Sequence, residues 1–386
     1  MKTIVSYIKK LFPESEYIQL HAPFFSGKEK EYLNRCIDTN YVSSVGAYVN
    51  QFEQMITEYT GTKYAIATVN GTAALHTALT VTGVEPGDNV LTQAVSFIAT
   101  ANAICYCNAT PVFIDSDLET LGMSVSALQH FLNKHTQKKS DGFTYNRATG
   151  KKISACVPMH VFGHPVQIDQ IKEITSSYNI TLIEDAAESI GSYRDGKHTG
   201  TFGTMGILSF NGNKVITTGG GGIILTNDED LAVKARHLTT TAKISHPWEF
   251  RHDQIGYNYR MPNINAAIGC AQLEMLPEIL EKKRQLTMHY KDFFQTIDVD
   301  FVVEPEGCQS NNWLNTIVFK TSSERDQFLN YSNNNGVMSR PIWTLLSKLP
   351  MYQSCITDQL TNALWIERHM VNIPSGCQHN ITQTND

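Results

Sequence analysis

Lys214 lies in SFNGNKVITTGGGG, residues Ser209 to Gly222, between two short apolar runs and ahead of four consecutive glycines. A lysine amine can bond covalently to a carbonyl or carry a proton. A glycine run lets another group approach the backbone closely and permits positive φ. The spacing excludes the phosphate loop of nucleotide hydrolases, which needs a glycine, four residues, then Gly-Lys-Ser/Thr. Here Asn213 separates Gly212 from Lys214, and Val215 follows the lysine. Taken alone, the stretch reads more simply as a tight turn with a solvated lysine.

Three other features change that balance. In VNGTAAL, Asn70, Gly71 and Thr72 follow an apolar run and open a helical pattern. Free N–H groups and the helix dipole there would form an anion site, although N-capping by Asn70 explains the segment equally well. In IEDAAES, Glu184 and Asp185 emerge from an apolar run. One of the two is expected to point inward, where a carboxylate needs a cationic or hydrogen-bonding partner. Phe97 in SFIATANA follows another apolar run, and core packing would account for it alone. Together, a phosphate cradle, an inward Asp, an aromatic face and a lysine are what pyridoxal 5′-phosphate requires. Lys214 would join its aldehyde, Asp185 would keep its ring nitrogen protonated, Phe97 would cover the ring, and Gly71 and Thr72 would hold the phosphate.

The elements that must position these residues are legible from about residue 64. YAIATV (Tyr64 to Val69), NVLTQA, PVFID, ISACVPMHV and ITLIEDAA read as strands. Between them lie helical stretches such as TAALHTALTVTG, FIATANAICYC and Gln167 to Tyr178. This alternation predicts an α/β fold, a mostly parallel sheet covered by helices. MGILSF and GGIILTND are separated by only about ten residues, too few for a parallel crossover, so they should pair antiparallel at one end of the sheet. Lys214 then sits just past a strand's C-terminal end, where open α/β sheets bind ligands. A long amphipathic stretch from Asn263 to about Phe294 leads into FVVEPEG, NTIVFK and GVMSRPIW, a smaller C-terminal α+β unit. The expected domains are residues 20–250, a large cofactor-binding domain, and 251–386, a small one, with 1–19 packing on the latter. Residues 133–152 read as a polar excursion, and the tail QHNITQTND as frayed.

At 386 residues the chain can bury a substantial core, and a net charge of −6 without a basic run argues against nucleic acid or an anionic membrane as partner. Eight cysteines in so long a chain do not form a disulfide framework, and no metal-ligand spacing occurs. No apolar run approaches a membrane span, and the N-terminus lacks a secretory pattern, so the expectation is a cytoplasmic protein. The Asn-X-Thr sites at Asn70, Asn108 and Asn380 then carry no meaning for glycosylation.

From about Ile18 to Ser375 the chain resembles the nucleotide-sugar aminotransferase family of DegT/DnrJ/StrS type, among the fold-type I pyridoxal-phosphate enzymes. The resemblance rests on NYVSSVGAYVNQFEQ, VNGTAAL, SFIATANAI, MHVFGHP, IEDAAESIGS, SFNGNK, GGGG, GYNYRMPNINAAIGCAQL and GVMSRPIW. It implies Lys214 and Asp185 as catalytic residues and a homodimer with shared active sites. Asn258 of GYNYRM would cross to the partner's cofactor phosphate. It further implies that Ser209 bonds the phosphate, that Glu188 lies near the ring hydroxyl, and that Asn211 is adjacent. The family's acidic residue after the lysine is replaced here by glycine. NYVSSVG, SFNGNK and SRPIWTLLSKLPMY resemble the enzymes that aminate carbon 4 of a UDP-linked 4-keto-6-deoxy-N-acetylhexosamine for legionaminic acid and bacillosamine. Ser43, Ser44, His160, Arg340 and Trp343 are the substrate-contact candidates. His160 reads equally as a hydrogen-bonded strand-end residue, and Trp343 as packing.

The implied reaction has two halves. L-glutamate leaves its nitrogen on the cofactor, and the nucleotide-linked keto sugar then takes it up, with Lys214 moving the protons. A pyridoxal-dependent sugar dehydratase would have a histidine in place of Lys214, and a non-catalytic sensor would more credibly lack Lys214 or Asp185. A nicotinamide enzyme would need a Gly-X-Gly-X-X-Gly turn, and none occurs.

Overall fold

Seven strands form the central sheet, in the spatial order Tyr64–Thr68, Gly222–Thr226, Met205–Ser209, Thr181–Asp185, Ile153–Val157, Asn89–Gln93, Thr110–Ile114. The computed structural model describes residues 1–377, so the tail read as frayed and Asn380 lie outside the described residues. From Met205–Ser209 onward every pairing is parallel. These strands are buried on both faces, as the Ile153–Val157 run shows, because helices cover each side.

Gly222–Thr226 runs antiparallel to Met205–Ser209, as the short connection requires. It is not the terminal strand, however. Tyr64–Thr68 pairs antiparallel along its outer edge, so the hairpin expected at one end of the sheet lies one strand in. The physical reason is burial. Ile223 and Leu225 occupy one core cluster and Ile224 another, so both faces of this strand are apolar and covered.

That placement brings the end of Tyr64–Thr68, and the helix Gly71–Val81 behind it, against the glycine run. The helix begins at Asn70, whose side chain accepts from Ala73 N at 2.8 Å, and ends ahead of Gly83 at φ +86°. Its residues Ala73 to Leu79 are all buried, which holds its axis against the sheet.

The predicted long helix spans Asn263–Phe294. Its first half packs Ala266, Cys270, Leu273 and Leu276 against the main core. Its second half delivers Leu286, Tyr290 and Phe294 to another cluster. That cluster lies beneath a four-stranded antiparallel sheet ordered Asp300–Phe301, Asn315–Val318, Met370–Ile373, Arg340–Pro341. The N-terminal helix Lys2–Leu11 adds Ile4, Val5, Ile8 and Leu11 to the same cluster. The inner strand Met370–Ile373 follows the helix Thr361–His369 with no turn between them and is absent from the sequence reading. FVVEPEG supplies only Asp300–Phe301 with its first residue, and Pro341 lies on an edge, where a missing N–H is tolerated. The polar 133–152 excursion contains a ribbon, Thr136–Lys138 with Thr144–Asn146, separate from the main sheet. Among the described residues no helix is long and apolar enough to cross a membrane.

Gly222 pairs with both Thr68 and Ser209. A Cβ there would lie 2.5 Å from the Asn70 carbonyl carbon and oxygen and 2.7 Å from Gly71 N. Gly222→Ala should therefore lower stability by about 1–3 kcal/mol in urea unfolding, as overpacking does. An unchanged urea midpoint would show that the helix start can retreat freely.

Candidate active site

The strand ends converge on a cavity of about 320 Å³. Its lining includes Gly71, Thr72, Phe97, Asp185, Glu188, Ser209, Asn211, Lys214 and Trp343. The lysine is not solvated. Its side chain is 11% exposed, and Nζ lies 3.1 Å from Glu188 Oε1 and 4.1 Å from the centre of the Trp313 ring.

Glu184 and Asp185 are both buried, and period-two alternation sends them to different faces. Glu184 accepts from Gly200 N, Phe202 N and Gly203 N and faces His160 Nε2 at 3.1 Å. Burial pushes its carboxyl up, but His160 and the backbone N–H groups outweigh that and leave it below the usual range. Asp185 faces the cavity. Thr100 Oγ1 donates to its Oδ2 at 2.6 Å and Ala187 N to its Oδ1 at 3.2 Å, which orients it.

Glu188 is 2% exposed, and Phe162 N donates to its Oε2 at 3.0 Å. That N–H is available because Phe162 adopts a left-handed backbone, φ +55°, with Gly163 following at φ +95°. Burial pushes the Glu188 carboxyl up to about 7, against the pull of Lys214 and the Phe162 N–H.

At the other end of the cavity, Gly71 and Thr72 are the first residues of the helix, so their N–H groups have no intrahelical acceptor. A Cβ on Gly71 would lie 2.9 Å from Ser209 Cβ and 3.1 Å from its hydroxyl. Glycine there lets the hydroxyl and the helix N-terminus share one small space. An amine and a buried carboxylate, an anion-accepting end, and a side wall with Phe97 fit pyridoxal phosphate in charge and in order. Phe97 is 49% exposed at the mouth, so core packing does not account for it.

Other candidates fall elsewhere. His160 is fully buried, and its Nδ1 accepts from Val166 N; it does not line the cavity, which corrects its reading as a substrate contact. Arg340 is exposed on an edge strand and also lies off the cavity. Ser43 is exposed, with its carbonyl accepting from Asn263 N. Ser44 and Asn258 line a different, open groove with Arg236, Lys243 and Arg260. Trp343 lines the Lys214 cavity and packs on Phe162 at 4.8 Å. Sequence reasoning missed Thr100 and Trp313. Thr100 lies three residues after Phe97 near the start of one helix, a spacing that could have revealed it. Trp313 carries no local signal.

The DegT/DnrJ/EryC1/StrS aminotransferase family matches residues 25–384. The chain is 39% identical to GDP-perosamine synthase of Escherichia coli O157:H7 over 337 residues, 87% of each chain. It is 37% identical over 340 residues to EpsN of Bacillus subtilis (strain 168), covering 88% of this chain and 84% of that one. EpsN is provisionally described as a pyridoxal phosphate-dependent aminotransferase. The aminotransferase TlmJ from Streptoalloteichus hindustanus superposes with a TM-score of 0.84 at 25% identity, over 93% of each chain.

The raised Glu188 carboxyl has a measurable consequence. The folded protein holds a proton up to about pH 7 that the unfolded chain releases near 4.5. Its stabilising contribution is complete below the unfolded value and is lost as pH rises through the folded one. Without cofactor, stability should fall between pH 5 and 8 more steeply in the parent than in Glu188→Gln, by on the order of 3 kcal/mol. Parallel urea-unfolding profiles for the two proteins would place the shift elsewhere.

Proposed function

Since the chain belongs to the DegT/DnrJ/EryC1/StrS aminotransferase family, whose members are pyridoxal phosphate-dependent sugar aminotransferases, we propose that it transfers an amino group from L-glutamate to carbon 4 of a nucleotide-linked 4-keto-6-deoxy sugar. The observation that carries this reading is the Lys214 amine, 3.1 Å from Glu188, in one cavity with Asp185 and a helix N-terminus. Lys214 would hold the cofactor's aldehyde, Asp185 its ring nitrogen, Gly71, Thr72 and Ser209 its phosphate, and Phe97 one ring face. Asn211 borders the same space. When bound, pyridoxal phosphate supplies a carbonyl that accepts amines and a ring that withdraws electrons from the carbons next to them.

The chain's own part is orientation and proton movement. Lys214 Nζ takes a proton from the donor's α-carbon in the first half-reaction and delivers one to carbon 4 of the sugar in the second. Glu188 Oε1, 3.1 Å away, aims that atom. Thr100 and Ala187 N hold the Asp185 carboxylate toward the ring-nitrogen end. The apolar walls exclude water, which strengthens each of these interactions.

The first reading of the acceptor is UDP-2-acetamido-2,6-dideoxy-hexos-4-ulose, supported by NYVSSVG, SFNGNK and SRPIWTLLSKLPMY, in the making of bacterial surface-glycan sugars such as legionaminic acid or bacillosamine. A GDP-linked keto sugar is the second reading, favoured by the relative named GDP-perosamine synthase. Trp343 at the cavity mouth is the substrate contact best supported by position. Asn258 is read as serving a neighbouring subunit's site in a homodimer, with Ser43 and Ser44 kept as substrate-contact candidates. The separation of the groove lined by Asn258 and Ser44 from the Lys214 cavity supports that reading.

UDP-, GDP- and dTDP-linked 4-keto-6-deoxy sugars, each supplied with glutamate, should separate the two readings, with one nucleotide turned over far faster. Lys214→Ala should lose roughly 10²–10⁴-fold in turnover and lose the borohydride-reducible link between cofactor and protein. A link that survives would mean the wrong lysine, and no amination of any keto sugar would sink the reading.

Subunit mixing tests the shared site. Lys214→Ala and Asn258→Ala proteins should each be nearly inactive. A heterodimer of the two then has one site with both defects and one intact site, so activity should reappear. No recovery, with the heterodimer confirmed by native mass spectrometry, would place Asn258 on its own chain's site.

A further inference from the structure

We propose that Trp313 is a positioning residue for Lys214, its indole face holding the amine that Glu188 binds, and that Asn311 sets both partners in place. The inference rests on Lys214 being the cofactor lysine. Trp313 is 3% exposed, yet its indole serves the site at two points. Its ring centre lies 4.1 Å from Lys214 Nζ, and its Nε1 donates to Asn213 O at 2.7 Å, fixing the residue just before the lysine. The negative face of an indole attracts a cation, and the attraction grows when both are withdrawn from water.

The backbone of Trp313 is itself tied down. Its N–H donates to Asn311 Oδ1 at 2.9 Å, and its carbonyl accepts from Lys283 Nζ at 3.2 Å. Asn311 Nδ2 donates to Glu188 O at 2.8 Å and Ile190 O at 2.9 Å. One buried amide therefore spans the segment carrying the carboxylate and the segment carrying the indole. The surroundings are shaped to admit it. A Cβ on Gly163 would lie 1.9 Å from Asn311 Oδ1, and Asn312 adopts a left-handed backbone, φ +50°.

Among the described residues, the titratable groups near Nζ include Glu188, Asp185 and His21. Glu188 touches it, and Asp185 lines the same cavity. Buried His21, with neither ring nitrogen hydrogen-bonded, is held neutral by burial and then by the charges of Lys283 and Lys214. Trp313 is the uncharged contact among them, so its effect can be tuned without adding or removing a charge.

The test uses the holoenzyme with tryptophans bearing one, two or three ring fluorines placed at position 313. Fluorine drains the negative face while the shape and the Nε1–H remain. The readout is the pH midpoint of the visible absorbance of the bound cofactor. A positive charge on the lysine nitrogen loses support as fluorines are added. The midpoint should fall progressively, by about 0.3–1 unit over the series. Turnover should decline in step, while KM for glutamate and the melting temperature hold. Trp313→Phe, with a smaller aromatic face and no Nε1–H, should lie between the parent and the trifluoro protein, and Trp313→Leu should lie beyond the trifluoro protein. A midpoint that stays flat across the fluorinated series overturns the proposal, whether or not Trp313→Leu folds. Peptide mapping after borohydride reduction separates the two levels: cofactor found on another lysine refutes the parent reading, while cofactor on Lys214 with a flat midpoint refutes only the role of Trp313.

Discussion

Burying an ammonium beside a carboxylate stabilises nothing unless each group finds further partners, and the architecture around Lys214 follows from that requirement. Lys214 and Glu188 together leave almost no charged surface to water. Glu188 meets the need by accepting from Phe162 N, at a residue in the left-handed conformation that few non-glycine residues adopt. Gly163 completes the turn, and Asn311 packs against it. A left-handed residue, the glycine after it and a buried amide far along the chain thus surround one ion pair.

The same logic separates the neighbouring carboxylates. Strand alternation alone sends Glu184 and Asp185 apart, but their surroundings give them different work. Glu184 receives three backbone N–H groups from the loop at Gly200 to Gly203 and is fully satisfied. It serves as an internal staple for that loop. Asp185 receives Thr100 and one backbone N–H, which orient it at the cavity wall. A single carboxylate at a strand end could not both hold a loop and face a ligand.

The anion end of the cavity depends on close backbone approach instead of charge. The antiparallel Gly222–Thr226 strand passes under Asn70 and Gly71 with no room for a Cβ. Gly71 in turn admits Ser209 to the helix N-terminus. Two glycines from separate elements therefore bring a hydroxyl and a helix dipole to one point. Inserting the antiparallel strand between Tyr64–Thr68 and Met205–Ser209 makes that meeting possible.

Much of this was legible in the chain itself. The strands and helices, the bounds of the Asn263–Phe294 helix and the antiparallel hairpin follow from apolar periodicity and connection length, which are local properties. Lys214, Asp185, Thr72 and Phe97 could be singled out because strand ends and a helix start mark them, Glu188 and Ser209 only through the family resemblance, and all six line one cavity. His160 is a candidate through the resemblance, with a hydrogen-bonded strand-end residue as the equal alternative. Only the fold shows its ring turned inward to Glu184, because the face toward which a strand-end side chain points depends on what packs above and below it. Trp313 and Asn311 left no trace in local pattern. Their meaning comes from contacts with residues a hundred or more positions away, at Asn213 and Glu188. The chain's own pattern determined which elements form and which ends could carry chemistry. Tertiary structure alone decided the strand order and the partners of each buried charge, because those depend on long-range packing that no short stretch of sequence contains.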